Sequence, residues 1–365
     1  MRSAGGAIPF ARFMELSLYA PGLGYYSAGS RKFGAAGDFV TAPEISPLFS
    51  RTLAHQYRAV LDELDGGEVL EIGAGSGRMA ADSLAELERL EALPQRYRIL
   101  ELSGELRQRQ HETIERDLPH LVERVEWLDT LPEAGFRGVI VGNEVMDALP
   151  VERFRVTAEG LKARHVRQQG HSFAWQDTEL SPSLQAAIEA LPECLRAQWP
   201  RGYESEICLA LSPWIATLAA TLDTGLLLLI DYGFPRHEYY HPDRNDGTLM
   251  CHYRHRAHPD PLILAGLQDI TAHVDFTAVA EAAHGAGLTV AGYTTQTYFL
   301  LGAGINALLD APDLGMEERF ILAQGIKKLL LPSEMGELFK VIGLTRNLGA
   351  QPLAGFALND LRHKL

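Results

Sequence analysis

The chain has 365 residues, of which 46% are hydrophobic and 22% charged, enough apolar material for one large domain with insertions or for two domains. Its net charge of −14 argues against a nucleic-acid backbone as main partner, since that contact needs clustered Lys and Arg. The three cysteines, Cys194, Cys208 and Cys251, form no C-x-x-C pair, so neither a disulfide framework nor a zinc knuckle is indicated and a reducing cytosol fits.

In chain order, "IPFARFMELSLYA" reads as a helix and is followed by the Gly-rich "PGLGYYSAGSRKFGAAGDFVTAPE". A second helix covers 45–64, with Pro47 near its start, where proline is tolerated. From 68 onward strands and helices alternate. "EVLEIG" (68–73), "YRILEL" (97–102), "RVEWL" (124–128) and "GVIVGN" (138–143) are strands, and "RMAADSLAELERL" and "GELRQRQHETIERDL" are helices between them. That alternation predicts parallel β-α-β units and an α/β fold with a doubly wound, mostly parallel sheet. Residues 152–204 show short polar strands and the helix "SPSLQAAIEAL", an insertion. The core resumes with the helix "EICLALSPWIATLAATL" and the strand "GLLLLIDYG" (225–233). After a stretch rich in His, Pro and Asp come a helix at 276–287, strands within 288–301, a helix at 316–331 and the strand "FKVIGLTR". The expected organisation is an N-terminal helical or lid segment over 1–65, a core over 66–150 and 205–300, an insertion over 151–204, and a C-terminal extension over 301–365 that completes the domain. The run "GLLLLI" is too short to span a bilayer and "MRSAGGAIPF" lacks a signal-peptide core, so a cytoplasmic protein without membrane insertion is expected.

"VLEIGAGSGRMA" (69–80) is a strand, a glycine turn and a helix start. Gly73, Gly75 and Gly77 permit positive φ and close approach of a ligand, and the helix start offers free N–H groups. Dinucleotide sites want G-x-G-x-x-G; the spacing here is G-x-G-x-G, and Glu71 would repel a pyrophosphate while suiting the ammonium and sulfonium of S-adenosyl-L-methionine. Glu101, ending the second strand, is placed to accept ribose hydroxyls. Trp127, Leu128 and Asp129 follow the third strand and border the adenine position, or simply pack. Phe39, Thr41 and Glu44 lie on a stretch that would close over the cofactor as a lid, or form a surface loop.

Asn143, Glu144 and Asp147 follow the fourth strand. If 144–147 opens a helical turn, Glu144 and Asp147 share one face, two carboxylates suited to a guanidinium fork, with the Asn143 amide on substrate or cofactor. The alternative is a strand-ending turn bonded to local backbone. Further candidates for the substrate side are Tyr232, His255, His273 and Asp275. In "DITAHVD", Asp269, Thr271, His273 and Asp275 would share a strand face, although Asp275 is equally a cap for the helix at 276. The histidines of "HEYYH" and "CHYRHRAH" have no recognised ligand spacing and are interleaved with arginines, so no metal is expected.

With "FMELSLYAPGLGYYS", "GDFVTAPEISPLF", "VLEIGAGSGRMA", "GNEVMDALPVERF", "LLIDYGF", "GTLMCHYRHRAHPDPL", "GLQDITAHVDF" and "FKVIGL", the chain resembles the MidA family of S-adenosylmethionine-dependent methyltransferases along nearly its whole length. The resemblance implies a class I methyltransferase fold. It also implies methylation of an arginine in a protein, the activity of mitochondrial members that assemble respiratory complex I. The absence of a mitochondrial presequence is expected of a bacterial-type member, and a homodimer is an open option. Three rivals stand beside this reading: a non-catalytic assembly factor that binds the same cofactor, a methyltransferase acting on a small molecule or on another residue type, and a nucleotide-dependent oxidoreductase, which Glu71 disfavours.

Overall fold

The structure, a computed structural model, describes residues 6–27, 40–310, 315–349 and 353–365. The chain divides into two compact units that interleave along the sequence. Among the described residues one, the glycine-loop unit, comprises 40–145, 214–233 and those of 279–365; the other, the inserted unit, comprises 6–27, 146–213 and 234–278.

The glycine-loop unit is built on a sheet whose path runs Thr289–Thr295, Phe339–Arg346, Leu222–Phe234, Phe136–Asn143, Glu68–Ile72, Tyr97–Leu100, Val125–Leu128. The last five are parallel neighbours, and Phe339–Arg346 runs antiparallel to both of its neighbours. Leu226 to Ile230 are all fully buried, the pattern of a parallel strand covered on both faces. Helices Pro47–Glu63 and Arg78–Arg89 contribute Phe49, Tyr57, Val60, Leu84 and Leu87 to a core shared with Val69, Tyr97, Val139, Val141 and Leu228. Ser46 starts the first of these helices, accepting from Leu48 N at 3.3 Å with Pro47 at the first helical position. Ser103 starts Gly104–Asp117 in the same way.

Strand order reverses beside Glu68–Ile72: its neighbours are Tyr97–Leu100 on one side and Phe136–Asn143 on the other. Open α/β sheets bind ligands beyond the carboxyl ends of strands at such a switch point. The residues emerging there are Gly73 and Asn143.

The inserted unit carries a sheet in which Gly160–Gln169 pairs with Ala7–Pro9, Glu152–Thr157 and Ser172–Thr178, and Glu204–Ile207 pairs with Glu152–Thr157. A three-stranded sheet of Met250–Tyr253, Arg256–His258 and Asp269–Thr271 completes it. Phe10, Phe13 and Met14 of helix Phe10–Tyr19 pack with Val166 and with the partly buried Phe173 and Trp175.

Several expectations need correction. The N-terminal segment is not a separate lid segment over 1–65: its described residues 6–27 join the insertion through the Ala7–Pro9 pairing, while 40–65 belong to the glycine-loop unit. The insertion exceeds 151–204, since 146–213 and 234–278 cluster together. The helix expected from Glu206 begins only at Leu211, and Glu204–Ile207 is a strand; Glu206 is fully buried, accepting from Thr248 N at 2.8 Å. Residues 288–301 hold one strand, after which Thr295 caps the helix Gln296–Gly302. "DITAHVD" is two short strands, Asp269–Thr271 and Val274–Asp275. Ala272 N is drawn to Asp147 O and His273 N to Thr248 Oγ1, so the four side chains do not line one continuous strand.

Candidate functional site

Gly73, Gly75 and Gly77 have φ of 68°, 52° and 80°, a run of left-handed conformations that turns the chain sharply between strand and helix. Neighbours demand glycine as well. A methyl on Gly73 would lie 3.0 Å from Val145 Cγ1, and one on Gly77 would lie 2.9 Å from Gln110 Cα. Thus the loop is packed from one side by the turn after Phe136–Asn143 and from the other by helix Gly104–Asp117. Ser76 Oγ donates to the Glu44 carboxylate, which brings one of the lid-stretch candidates onto the loop. Thr41 stands at the N-terminal cap of the short helix Ala42–Ile45. Phe39 lies outside the described residues.

Glu101 is 8% exposed, and its carboxylate accepts from Ser103 N at 2.8 Å and from Gln110 Nε2 at 2.9 Å. Burial raises its pKa, against the opposing hydrogen bonds. Gln110 Nε2 also donates to Gly75 O at 3.1 Å, and Gln110 Oε1 accepts from Trp127 Nε1 at 3.1 Å. Trp127 is partly buried against the core, its ring tilted against that of His111. Asp129 is exposed and paired with Arg107 at 2.6 Å, and Arg107 further donates to Leu128 O and Glu101 O. Gln110 was missed in the sequence reading. It stands in the middle of a polar helix, and only the fold shows that its amide faces the loop rather than water.

Glu71 does not present an open carboxylate. It is fully buried and accepts from the Tyr97 hydroxyl at 2.6 Å. Burial pushes its pKa to about 7, with the Tyr97 bond opposing and Glu101 adding to the rise. In this structure the Glu71 carboxylate is bonded inside the core rather than open to solvent, and burial acts against its charge.

The turn after Asn143 is also not helical. Glu144 has φ 55°, its N–H donates to Ile230 O at 2.9 Å, and Val145 N donates to Asp231 Oδ2 at 3.2 Å. A helical turn is thereby interrupted at its first residue, so the shared helix face of Glu144 and Asp147 is not formed. The two residues also fall in different units. Glu144 is half-buried and accepts from Asn143 Nδ2 at 3.0 Å. Asn143 Oδ1 is buried with no hydrogen-bond partner among the described residues, an acceptor left over for a donor brought by a ligand. Asp147 is buried in the inserted unit, close enough to Tyr19 and Tyr26 to help raise their pKa values, chiefly a burial effect; the Tyr26 hydroxyl donates to Asp269 at 3.0 Å.

The remaining candidates are dispersed. Tyr232 packs edge-on to Phe339 in the glycine-loop unit. In the inserted unit His255 sits exposed at a hairpin tip with φ 59°, and His273 stacks on Phe234 with a bond to Thr248 O. Asp275 caps its helix, accepting from Ala278 N at 3.1 Å, and pairs with Arg236 at 3.2 Å. Among the described residues no group of three or more His, Cys, Asp and Glu side chains is placed to hold a metal ion, and no helix is long and apolar enough to cross a membrane.

A glycine turn at a switch point and an acid at the end of the adjoining strand fit an adenosyl cofactor bearing ribose hydroxyls and an amino acid. They define a Rossmann-like methyltransferase of class I type that uses S-adenosyl-L-methionine. A model of a family of S-adenosyl-L-methionine-dependent methyltransferases matches residues 48–294, and the chain belongs to that family. A crystal structure from Burkholderia thailandensis with S-adenosyl-homocysteine bound is 46% identical, covering 100% of this chain and 94% of that one, with a TM-score of 0.94. The protein arginine methyltransferase NDUFAF7 homologue of Drosophila melanogaster is 28% identical over 96% of this chain and 86% of its own length. The mitochondrial protein arginine methyltransferase NDUFAF7 of Mus musculus is 29% identical over 93% and 81%.

Proposed function

We propose that the chain methylates the guanidinium of an arginine in a protein, in the cytoplasm, with a respiratory-complex subunit as the target class. The names of the curated relatives and their coverage of the chain support the acceptor. The single observation that carries the reading is Glu144: a half-buried carboxylate on the strand end that packs against the glycine loop, held at backbone and side chain alike.

The cofactor, when bound, supplies an electrophilic methyl on a positively charged sulfur. A guanidinium is also cationic, so the acceptor meets charge repulsion unless an anion lies beside it. Glu144 supplies that anion and accepts a guanidinium N–H, which orients the nitrogen opposite. Asn143 fixes the Glu144 rotamer through its Nδ2 and keeps its oxygen for a second donor. Asp147 is not part of this proposal.

The test is an incubation of the purified protein with methyl-labelled cofactor and an extract from cells lacking the protein, followed by acid hydrolysis. Label in methylated arginine is expected. Label in methyl-lysine, or only in material of low molecular mass, would overturn the reading.

A further inference from the structure

We infer that Gln110 is a positioning residue for the cofactor. Its one amide ties together the glycine loop, the Glu101 carboxylate and the Trp127 indole, and so sets the ribose end of the site before any ligand arrives. The inference rests on the reading of Glu101 as the ribose acceptor.

Gln110 is fully buried on helix Gly104–Asp117. Its Nε2 donates to Gly75 O at 3.1 Å and to Glu101 Oε2 at 2.9 Å, and its Oε1 accepts from Trp127 Nε1 at 3.1 Å. All three contacts are to residues of the proposed cofactor site, and each uses the amide in one orientation. Flipping it would set its oxygen against the Gly75 carbonyl and the Glu101 carboxylate, two acceptors, and its N–H against the indole N–H. The orientation is therefore determined by its partners.

The backbone at this position matters too. A methyl on Gly77 would lie 2.9 Å from Gln110 Cα, so the loop sits directly against the helix backbone at this residue. A carboxylate that must accept from a ribose loses affinity if it can rotate away. Ser103 N donates to Oε1 and Gln110 Nε2 to Oε2, and the Leu102 backbone adds a further bond, so the Glu101 carboxylate is held through both of its oxygens. This is preorganisation: the ordering cost is met in folding rather than in binding.

The test compares Gln110→Met, Glu101→Ala and the double variant by calorimetric titration with S-adenosyl-homocysteine, alongside thermal melts without ligand. Gln110→Met keeps length and volume while removing the three bonds. Affinity should fall roughly tenfold or more, as expected when a buried charged acceptor loses its donor. Adding it to Glu101→Ala should cost little further, because the two changes act through one group. In the same ligand-free protein, the Trp127 indole N–H resonance, assigned with Trp127→Phe, should shift and exchange faster with solvent. Unchanged affinity in a folded Gln110→Met, or losses that simply add, would overturn the proposal. If Glu101→Ala binds as well as wild type, the ribose reading itself fails, and a loss at Gln110→Met then belongs to Gly75 alone. Should Gln110→Met not fold, Trp127→Phe keeps the question open to measurement. It removes the donor to Gln110 Oε1 at a partly exposed ring. Wild-type affinity and an unaltered Glu101→Ala effect in that background would contradict the coupling.

Discussion

The Glu71 carboxyl is 1% exposed, with the Tyr97 hydroxyl 2.6 Å from its oxygen. Burial raises its pKa to about 7 from the ordinary glutamate value of 4.5. Between those values the folded chain keeps a proton that the unfolded chain has lost. Stability contributed by this group therefore falls as pH rises through that window and is level above it. Glu71→Gln leaves an uncharged group that can still accept from Tyr97. Its denaturation midpoints should change less than wild type between about pH 5 and 8, and the variant should gain relative to wild type at the upper end. Parallel pH profiles for the two proteins would show instead that the carboxyl is ionised throughout. At this scale the sequence was only partly legible. The position of Glu71 before the glycines was visible; its direction into the core was not, since that depends on Tyr97 and Tyr57 from other elements. Glu101 was readable as a strand-end acid, whereas Gln110 was hidden because its partners are 35, 9 and 17 residues away.

The glycine turn and the turn after Asn143 depend on each other. Val145 fills the space that side chains at Gly73 and Gly142 would need. Gly73→Ala adds both the strain of a methyl at φ 68° and a 3.0 Å contact with Val145 Cγ1. Gly135→Ala adds strain alone, at φ 113° with open space around it. Each variant should lose on the order of 1 kcal/mol of stability, and Gly73→Ala more. Only Gly73→Ala should weaken S-adenosyl-homocysteine binding, as titration of both variants would show; equal affinities would mean that the loop tolerates displacement. The alternation of strands and helices was readable because apolar periodicity is local. The non-helical turn at 144–147 was not, because a positive φ at a glutamate follows from bonds to Ile230 and Asp231, some 86 residues on. Spacing of i, i+3 describes a helix face only where a helix forms.

Across the whole molecule, the parallel sheet with helices was legible from the β-α-β rhythm, and the long motifs carried the family. The division into units was not. Ala7–Pro9 finds its partner at 165–167, and Phe339–Arg346 completes a sheet begun at residue 68, so contiguous segments cannot describe either unit. Under the proposed function the acid at the end of the fourth parallel strand serves the methyl acceptor while the glycine loop and Glu101 hold the cofactor. That assignment is tested most directly by measuring methyl transfer in a single turnover, S-adenosyl-homocysteine affinity and thermal stability on wild type and Glu144→Gln together. Affinity and stability are expected to be unchanged, with transfer slowed by about 10²–10³, the usual cost of losing one well-placed electrostatic group. A folded Glu144→Gln that binds the product normally and transfers at the wild-type rate would contradict the assignment.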